Sequence, residues 1–190
     1  SYRRTATNSV YPNIYKRVLD VALVLFTAPI WLPVIALGVL LIATDGHSPF
    51  YSQERVGRNG RLFRLWKLRT MVVNADVHLE AYLDATPAAR AEWDATQKLK
   101  NDPRITLVGR IFRKTSLDEL PQLINVLKGD MSLVGPRPIM VSQRPLYIGQ
   151  GYYMMRPGLT GPRQVSDRNT CDFADRVYYD DRYAATVSLS

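Results

Sequence analysis

Two carboxylates stand side by side at Asp118 and Glu119, inside the stretch SLDELPQL of residues 116–123. Arg110, Arg113 and Lys114 lie just ahead of them, and Arg137 and Arg156 follow in two loops bounded by glycine and proline. Neighbours on a helix project about 100° apart, so the pair cannot face itself across a substrate as glycosidase carboxyls do. At a helix start, however, one carboxylate can attack an electrophile while its neighbour binds a metal or handles a proton. Arginines and a helix N-terminus favour the charged, nucleophilic form of such an acid, and an anionic electrophile needs cations beside it. The same stretch also reads as a capping box, Ser116-Leu117-Asp118-Glu119, whose acids would complement a helix dipole. Pattern alone leaves both roles open.

Other chemistries are poorly supplied. Cys171 is the only cysteine, so neither an internal disulfide nor a cysteine-based zinc site can form. With His47 and His78 as the only histidines, a Ser-His-Asp triad or a histidine-rich metal site is disfavoured. Acid–base or nucleophilic work falls to carboxylates, with lysine and arginine as electrostatic support. The chain has 190 residues and a net charge of +8, enough for one domain with a core and an anionic partner. Nucleic acid, phosphorylated metabolites and anionic lipid headgroups all fit that charge.

The elements that must hold these residues begin with an apolar run. Residues 21–43, VALVLFTAPIWLPVIALGVLLIA, carry no charge, and 23 residues suffice to cross a hydrocarbon core of about 30 Å. The run lies behind a polar lead and is long for a secretory h-region. Pro29 and Pro33 fall near its middle, where each removes a backbone donor. Both flanks are basic: Arg3, Arg4, Lys16 and Arg17 before it, and Arg55, Arg58, Arg61, Arg64, Lys67 and Arg69 after it. The positive-inside rule therefore keeps both ends on the cytoplasmic face, and a helix that enters, breaks at a proline and returns satisfies both facts.

Further on, FYSQERV and RLFRLWKLRTM flank Gly57-Arg58-Asn59-Gly60 and predict a β-hairpin. Residues 74–100 read as helical and amphipathic, divided at Pro87, with Val77, Leu79, Tyr82, Leu83, Trp93 and Leu99 as apolar positions. Asn101-Asp102-Pro103 marks a turn, and a helix over 117–127 would end at Gly129 as its C-cap. MSLVGPRP (131–138) and RPGLTGPRQ (156–164) read as loops, and VYYDDRY (177–183) carries no readable motif.

In that order, KRVLDVALVL with its two prolines, SPFYSQERVGRNGRLFRLWKLRTM, RKTSLDELPQLINVLKGDMSLVGPRP and RPGLTG resemble the bacterial polyprenyl-phosphate sugar-1-phosphate transferases, or monotopic phosphoglycosyl transferases. The resemblance spans about residues 13–170. It implies transfer of a sugar-1-phosphate from a UDP-sugar to undecaprenyl phosphate, with release of UMP, as the first membrane step of exopolysaccharide or glycan assembly. By the same resemblance Asp118 is the nucleophile that carries a covalent phosphosugar, Glu119 is its partner, and Mg2+ is held near both. Lys67, Arg113 and Arg137, with Arg69 and Arg156, would bind substrate phosphates. Pro29, with Pro33 as the rival, would mark the membrane break.

Two stretches depart from the family pattern. Gly161-Pro162-Arg163-Gln164 stands where Gly-Trp-x-Gln is usual, and Asp167-Arg168-Asn169 where Gly-Arg-Asn is usual. The helical stretch at 74–100 is similar to that of members that begin exopolysaccharide synthesis, which points to galactose-1-phosphate or glucose-1-phosphate. A C-terminal amphipathic segment would be expected after Ser190. The expected fold is α+β and mostly helical: a small globular catalytic domain with a short β-hairpin on an N-terminal re-entrant membrane helix. Its expected parts are a basic lead (1–17), a helix-break-helix (18–44) and a catalytic domain (45–190) on the cytoplasmic face of the inner membrane. The expected partners are the UDP-sugar, polyprenyl phosphate and membrane lipids, with a homo-oligomer compatible and no nucleic acid. The competing reading is a non-catalytic, membrane-anchored basic protein that binds nucleic acid or anionic lipid.

Overall fold

The computed structural model describes residues 14–96, 99–161 and 173–186. The described chain is mostly helical with small sheets. It divides into two compact units, one built from Ser1–Pro33, Ser52–Lys67 and Pro121–Ser190, the other from Val34–Tyr51 and Leu68–Leu120.

The apolar run forms α1 (Lys16–Phe26) and α2 (Ala28–Ile42), which meet at Thr27. The break lies two residues before Pro29, because a proline at that position cannot donate to the carbonyl four residues back. Pro33 instead lies inside α2, so of the two prolines Pro29 sits beside the break. The carbonyls at the break are satisfied locally. The Thr27 hydroxyl donates to Leu23 O at 2.7 Å, and the Trp31 indole N–H donates to Val24 O at 3.0 Å. Such internal accounting is what a low-dielectric setting demands. Ala28–Asp45 is long and apolar enough to cross a membrane by length and composition. Phe26, Ile30 and Leu40 are 82%, 71% and 69% exposed, an apolar surface that water does not favour.

β1 (Phe50–Val56) and β2 (Leu62–Leu68), which lie mostly in the first unit, form the expected hairpin. Asn59 and Gly60 take positive φ in its turn, which suits their residue types. β1 also pairs antiparallel with β4 (Ile139–Met140), so the sheet order is β2-β1-β4. α6 (Gln122–Lys128) docks on β2 through buried Asn125. Its Nδ2 donates to Arg64 O at 2.8 Å, and its Oδ1 accepts from Trp66 N–H at 3.1 Å. Gly129 caps α6 in the left-handed region, as expected. β3 (Ser132–Val134) and β5 (Gly158–Thr160) pair in parallel, which the reading of both stretches as loops does not anticipate.

The tail that carries no readable motif forms part of α8 (Phe173–Thr186), which packs on α7 (Gly151–Met154). Asp180 accepts from the Tyr147 hydroxyl at 2.8 Å, and Asp181 accepts from Gly151 N–H at 2.7 Å. Val56, Ile139, Tyr147 and Tyr152 form the core beneath.

In the second unit, α3 (Ala75–Ala85) and α4 (Pro87–Thr96) part just before Pro87. Leu79, Leu83 and Ala89 are buried, with Tyr82, Trp93 and Leu99 packed on them, whereas Val77 is 71% exposed and joins no core. The Arg104 guanidinium lies over the Trp93 ring at 5.4 Å and makes a two-point ion pair with buried Asp102. Burial pushes the Asp102 carboxyl up, but the Arg104 hydrogen bonds outweigh it and hold it below its ordinary value. The end of α2 packs on α5 (Leu107–Thr115) through Ile42, Leu68 and Phe112. Gly38 permits this approach, since a Cβ there would lie 2.9 Å from Leu68 Cδ1.

Candidate active site

Asp118 and Glu119 lie on a tight 3₁₀ turn, Leu117–Glu119, that packs against α5. The capping box expected here does not form. Ser116 is in the left-handed region (φ 58°) as the C-cap of α5, and its side chain makes no cap hydrogen bond. A capping serine needs extended backbone, which the reversal after α5 denies it. The helix expected over 117–127 begins only at Gln122, because Pro121 lacks the N–H that would continue the turn. The dyad therefore sits before a helix rather than in its first turn. Main-chain bonds from Glu119 N–H to Ser116 O and from Leu120 N–H to Leu117 O close the turn at 3.2 Å each. Asp118 is buried and Glu119 half-buried.

Arg113 lies on α5, whose N-cap is Thr106, with Oγ1 accepting from Gly109 N–H at 2.9 Å. Gly109 touches the main chain of Thr70, where a Cβ would come within 2.1 Å of Thr70 O. That close approach brings the Thr70 hydroxyl to Arg113, whose Nε donates to it at 2.9 Å. Thr70 thus orients a predicted phosphate ligand. It carried no sequence signal, because the contact spans 43 residues.

Arg69 is differently engaged. Its Nη1 and Nη2 each donate to Asp45 at 2.7 Å, and its Nε donates to Ser48 O at 2.8 Å. The Arg69 hydrogen bonds, then the His47 N–H, pull the Asp45 carboxyl down to about 2. A carboxyl depressed in the folded state stabilises it above the ordinary value of 3.8, and that contribution is lost as pH falls through about 2. In an NMR titration Asp45 is expected to change charge near pH 2, and Arg69→Gln should return it toward 3.8. An unchanged midpoint would remove this pairing.

Lys67, Arg137 and Arg156 belong to the first unit. Lys67 is half-buried on β2, and Arg137 is exposed in the turn that follows β3. Arg156 is half-buried, and its Nε donates to Gly129 O at 2.9 Å. Burial, then the charges of Arg58 and Arg17, push its guanidinium below its ordinary value. The Arg137 and Arg156 loops are laced together. Ser132 N–H donates to Pro157 O, Gly135 N–H to Thr160 O and Gly158 N–H to Pro136 O, all within 2.9 Å. Gly135 and Gly158 permit the contact, since a Cβ on Gly158 would sit 2.1 Å from Gly135 N.

The residues suit a magnesium ion in one respect: adjacent carboxylates supply hard oxygen donors. Among the described residues, no group of three or more His, Cys, Asp or Glu gathers to hold a metal. The sequence departures at 162–164 and 167–169 lie outside the described residues.

The chain belongs to the bacterial sugar transferase family, whose pattern it matches over residues 11–190. It is 49% identical over 176 residues to the UDP-galactose-lipid carrier transferase of Erwinia amylovora, covering 92% of this chain and 37% of that protein. It is equally similar to the undecaprenyl-phosphate galactose phosphotransferase of Salmonella typhimurium, with 49% identity and the same shares of each chain. To the exopolysaccharide production protein ExoY of Rhizobium meliloti it is 47% identical, covering 96% of this chain and 83% of that one. The chain thus spans little over a third of the first two relatives and most of the third.

Proposed function

We propose that this protein transfers a sugar-1-phosphate from a UDP-sugar to undecaprenyl (polyprenyl) phosphate, releasing UMP, through a covalent phosphosugar on Asp118. The observation that carries this reading is the buried Asp118 beside Glu119 on the turn after α5, in a chain that matches the family over residues 11–190. A carboxylate oxygen of Asp118 attacks the β-phosphorus. The bond from that phosphorus to the bridging oxygen breaks, and UMP departs with the oxygen and its electrons. An oxygen of the lipid phosphate then attacks the same phosphorus, restoring the free carboxylate and leaving a lipid-linked diphosphate sugar.

Arg113, held by Thr70, is suited to the charge that develops in both steps, and Lys67 and Arg137 to the flanking phosphates. The donors of Arg69 are committed to Asp45 and Ser48, so we assign it to holding the end of α2. Asp118 and Glu119 would hold Mg2+, which when bound neutralises diphosphate charge. The galactose in two relatives' names favours a UDP-galactose donor and a place in polysaccharide synthesis. Purified protein is expected to release UMP over many turnovers only when undecaprenyl phosphate accompanies the UDP-sugar, and at most about one equivalent per enzyme from the UDP-sugar alone. Salt-sensitive polynucleotide binding without UMP release would favour the binding-protein reading instead.

The membrane part of the proposal is a re-entrant helix over residues 18–44, broken beside Pro29. It follows a basic lead over 1–17 and carries a catalytic domain over 45–190 on the cytoplasmic face of the inner membrane. Support comes from the interruption at Thr27 and the basic flanks on both sides. Cysteines introduced near residues 10 and 50 are expected to react with an impermeant thiol reagent only from the cytoplasmic side. Labelling from opposite sides would replace re-entry with a crossing.

A further inference from the structure

Asp20 is the only acid in α1, and it is 5% exposed. Val18 and Leu19 beside it are 62% and 46% exposed and apolar. A buried carboxylate at the edge of an apolar segment is costly unless it is fully bonded, so its partners identify what it is for. Oδ2 accepts from the Ser132 hydroxyl at 2.7 Å and from Lys16 Nζ at 3.4 Å, and Oδ1 accepts from Leu133 N–H at 3.3 Å. Lys16 also bonds the Ser132 hydroxyl. Every partner is either on α1 or on β3.

β3 leads directly to Gly135, Pro136 and Arg137. Ser132, Gly135 and Pro136 bond the segment that follows Arg156. Arg17, also on α1, donates to Val126 O and Leu127 O at the end of α6, and Arg156 reaches Gly129 O just beyond. The apolar helix α1 is therefore joined by side chains to the base of the Arg137 loop and to the end of α6, just before the Gly129 carbonyl that Arg156 reaches. The β3–β5 bonds do not involve Asp20, so its loss would shift this joint without dissolving it.

We propose that Asp20 is a positioning residue that holds the Arg137 loop at a fixed register to α1, and so to a phosphate whose lipid tail lies in the same bilayer. This rests on the transferase reading above. A water-soluble donor can approach the loop at any height. A bilayer-anchored phosphate cannot, so a displaced loop penalises the acceptor selectively.

The test uses the full chain in lipid nanodiscs, with Asp20→Asn and, as a milder change at the other end of the bond, Ser132→Ala. For Asp20→Asn, KM for bilayer-borne undecaprenyl phosphate is expected to rise about tenfold, while kcat and KM for the UDP-sugar stay within about twofold. A short, water-soluble polyprenyl phosphate should show no such rise, and Ser132→Ala should shift in the same direction by less. Equal losses against donor and both acceptors would mark a merely structural residue and overturn the proposal, as would no change in either variant. Wild-type protein that releases no UMP would instead overturn the transferase reading, and the inference with it.

Discussion

Asp118→Asn is expected to reduce UMP release by about a thousandfold or more, the scale on which removal of an attacking group is felt in enzymes that use covalent intermediates. The substitution is chosen for shape. Asparagine replaces aspartate with almost no change in volume, so the buried turn over Leu117–Glu119 should persist. What disappears is the anionic oxygen that attacks phosphorus. Glu119→Gln should cost less, about a hundredfold, because it removes a group that assists rather than one that forms the bond. A steady-state UMP assay measures both. Near-normal turnover by Asp118→Asn would move the nucleophile elsewhere. Equal losses in the two variants would leave their roles undivided.

The second large effect concerns stability. Gly158→Ala would place a Cβ 2.1 Å from Gly135 N, 2.4 Å from Thr160 O and 2.6 Å from Gly135 Cα. All three are backbone atoms, so no side chain can swing aside. To relieve the overlap, β3 and β5 must separate, breaking bonds such as Gly135 N–H to Thr160 O at 2.9 Å. Overpacking with lost hydrogen bonds predicts a cost of about 3 kcal/mol or more. For a chain of this size that corresponds to a fall in Tm of about 6–12 °C. Thermal unfolding in detergent would record it. Gly46→Ala, where nothing lies within 4 Å of a built Cβ, serves as the control and should change Tm by far less, its cost limited to the positive φ of 77°. Equal shifts in the two variants would show that the contact between the loops does not matter.

What the sequence declares is what neighbours decide. The hairpin around Gly57-Arg58-Asn59-Gly60, the Gly129 cap, the division at Pro87 and the apolar run of 21–43 each rest on residues within a few positions of one another. The acidic pair and the arginine at 113 were likewise visible as types and spacing. The misses are of two kinds. A local signal can be overruled by its surroundings: Ser116 has the residue type of a cap, but the reversal after α5 puts its backbone in the left-handed region. Other features have no local signal. β3 and β5 are three residues each and pair across the sequence from Ser132 to Gly158, too short and too distant to declare themselves. Asp20 carries no local signal, and its partners Ser132 and Leu133 lie more than a hundred residues away. Asp180 and Asp181, in the stretch with no readable motif, find their donors in Tyr147 and Gly151, about thirty residues earlier. The partners of Arg69 are likewise invisible in the sequence, since only the fold brings Asp45 to its guanidinium.

The central claim is that Asp118 itself forms the bond to phosphorus. Incubating the protein with the UDP-sugar in the absence of any lipid phosphate, quenching in acid and mapping peptides by mass spectrometry tests it most directly. The expected result is a phosphosugar adduct on Asp118 that vanishes when undecaprenyl phosphate is added and never appears in Asp118→Asn. An adduct on another residue, or turnover in Asp118→Asn with no adduct anywhere, would contradict it.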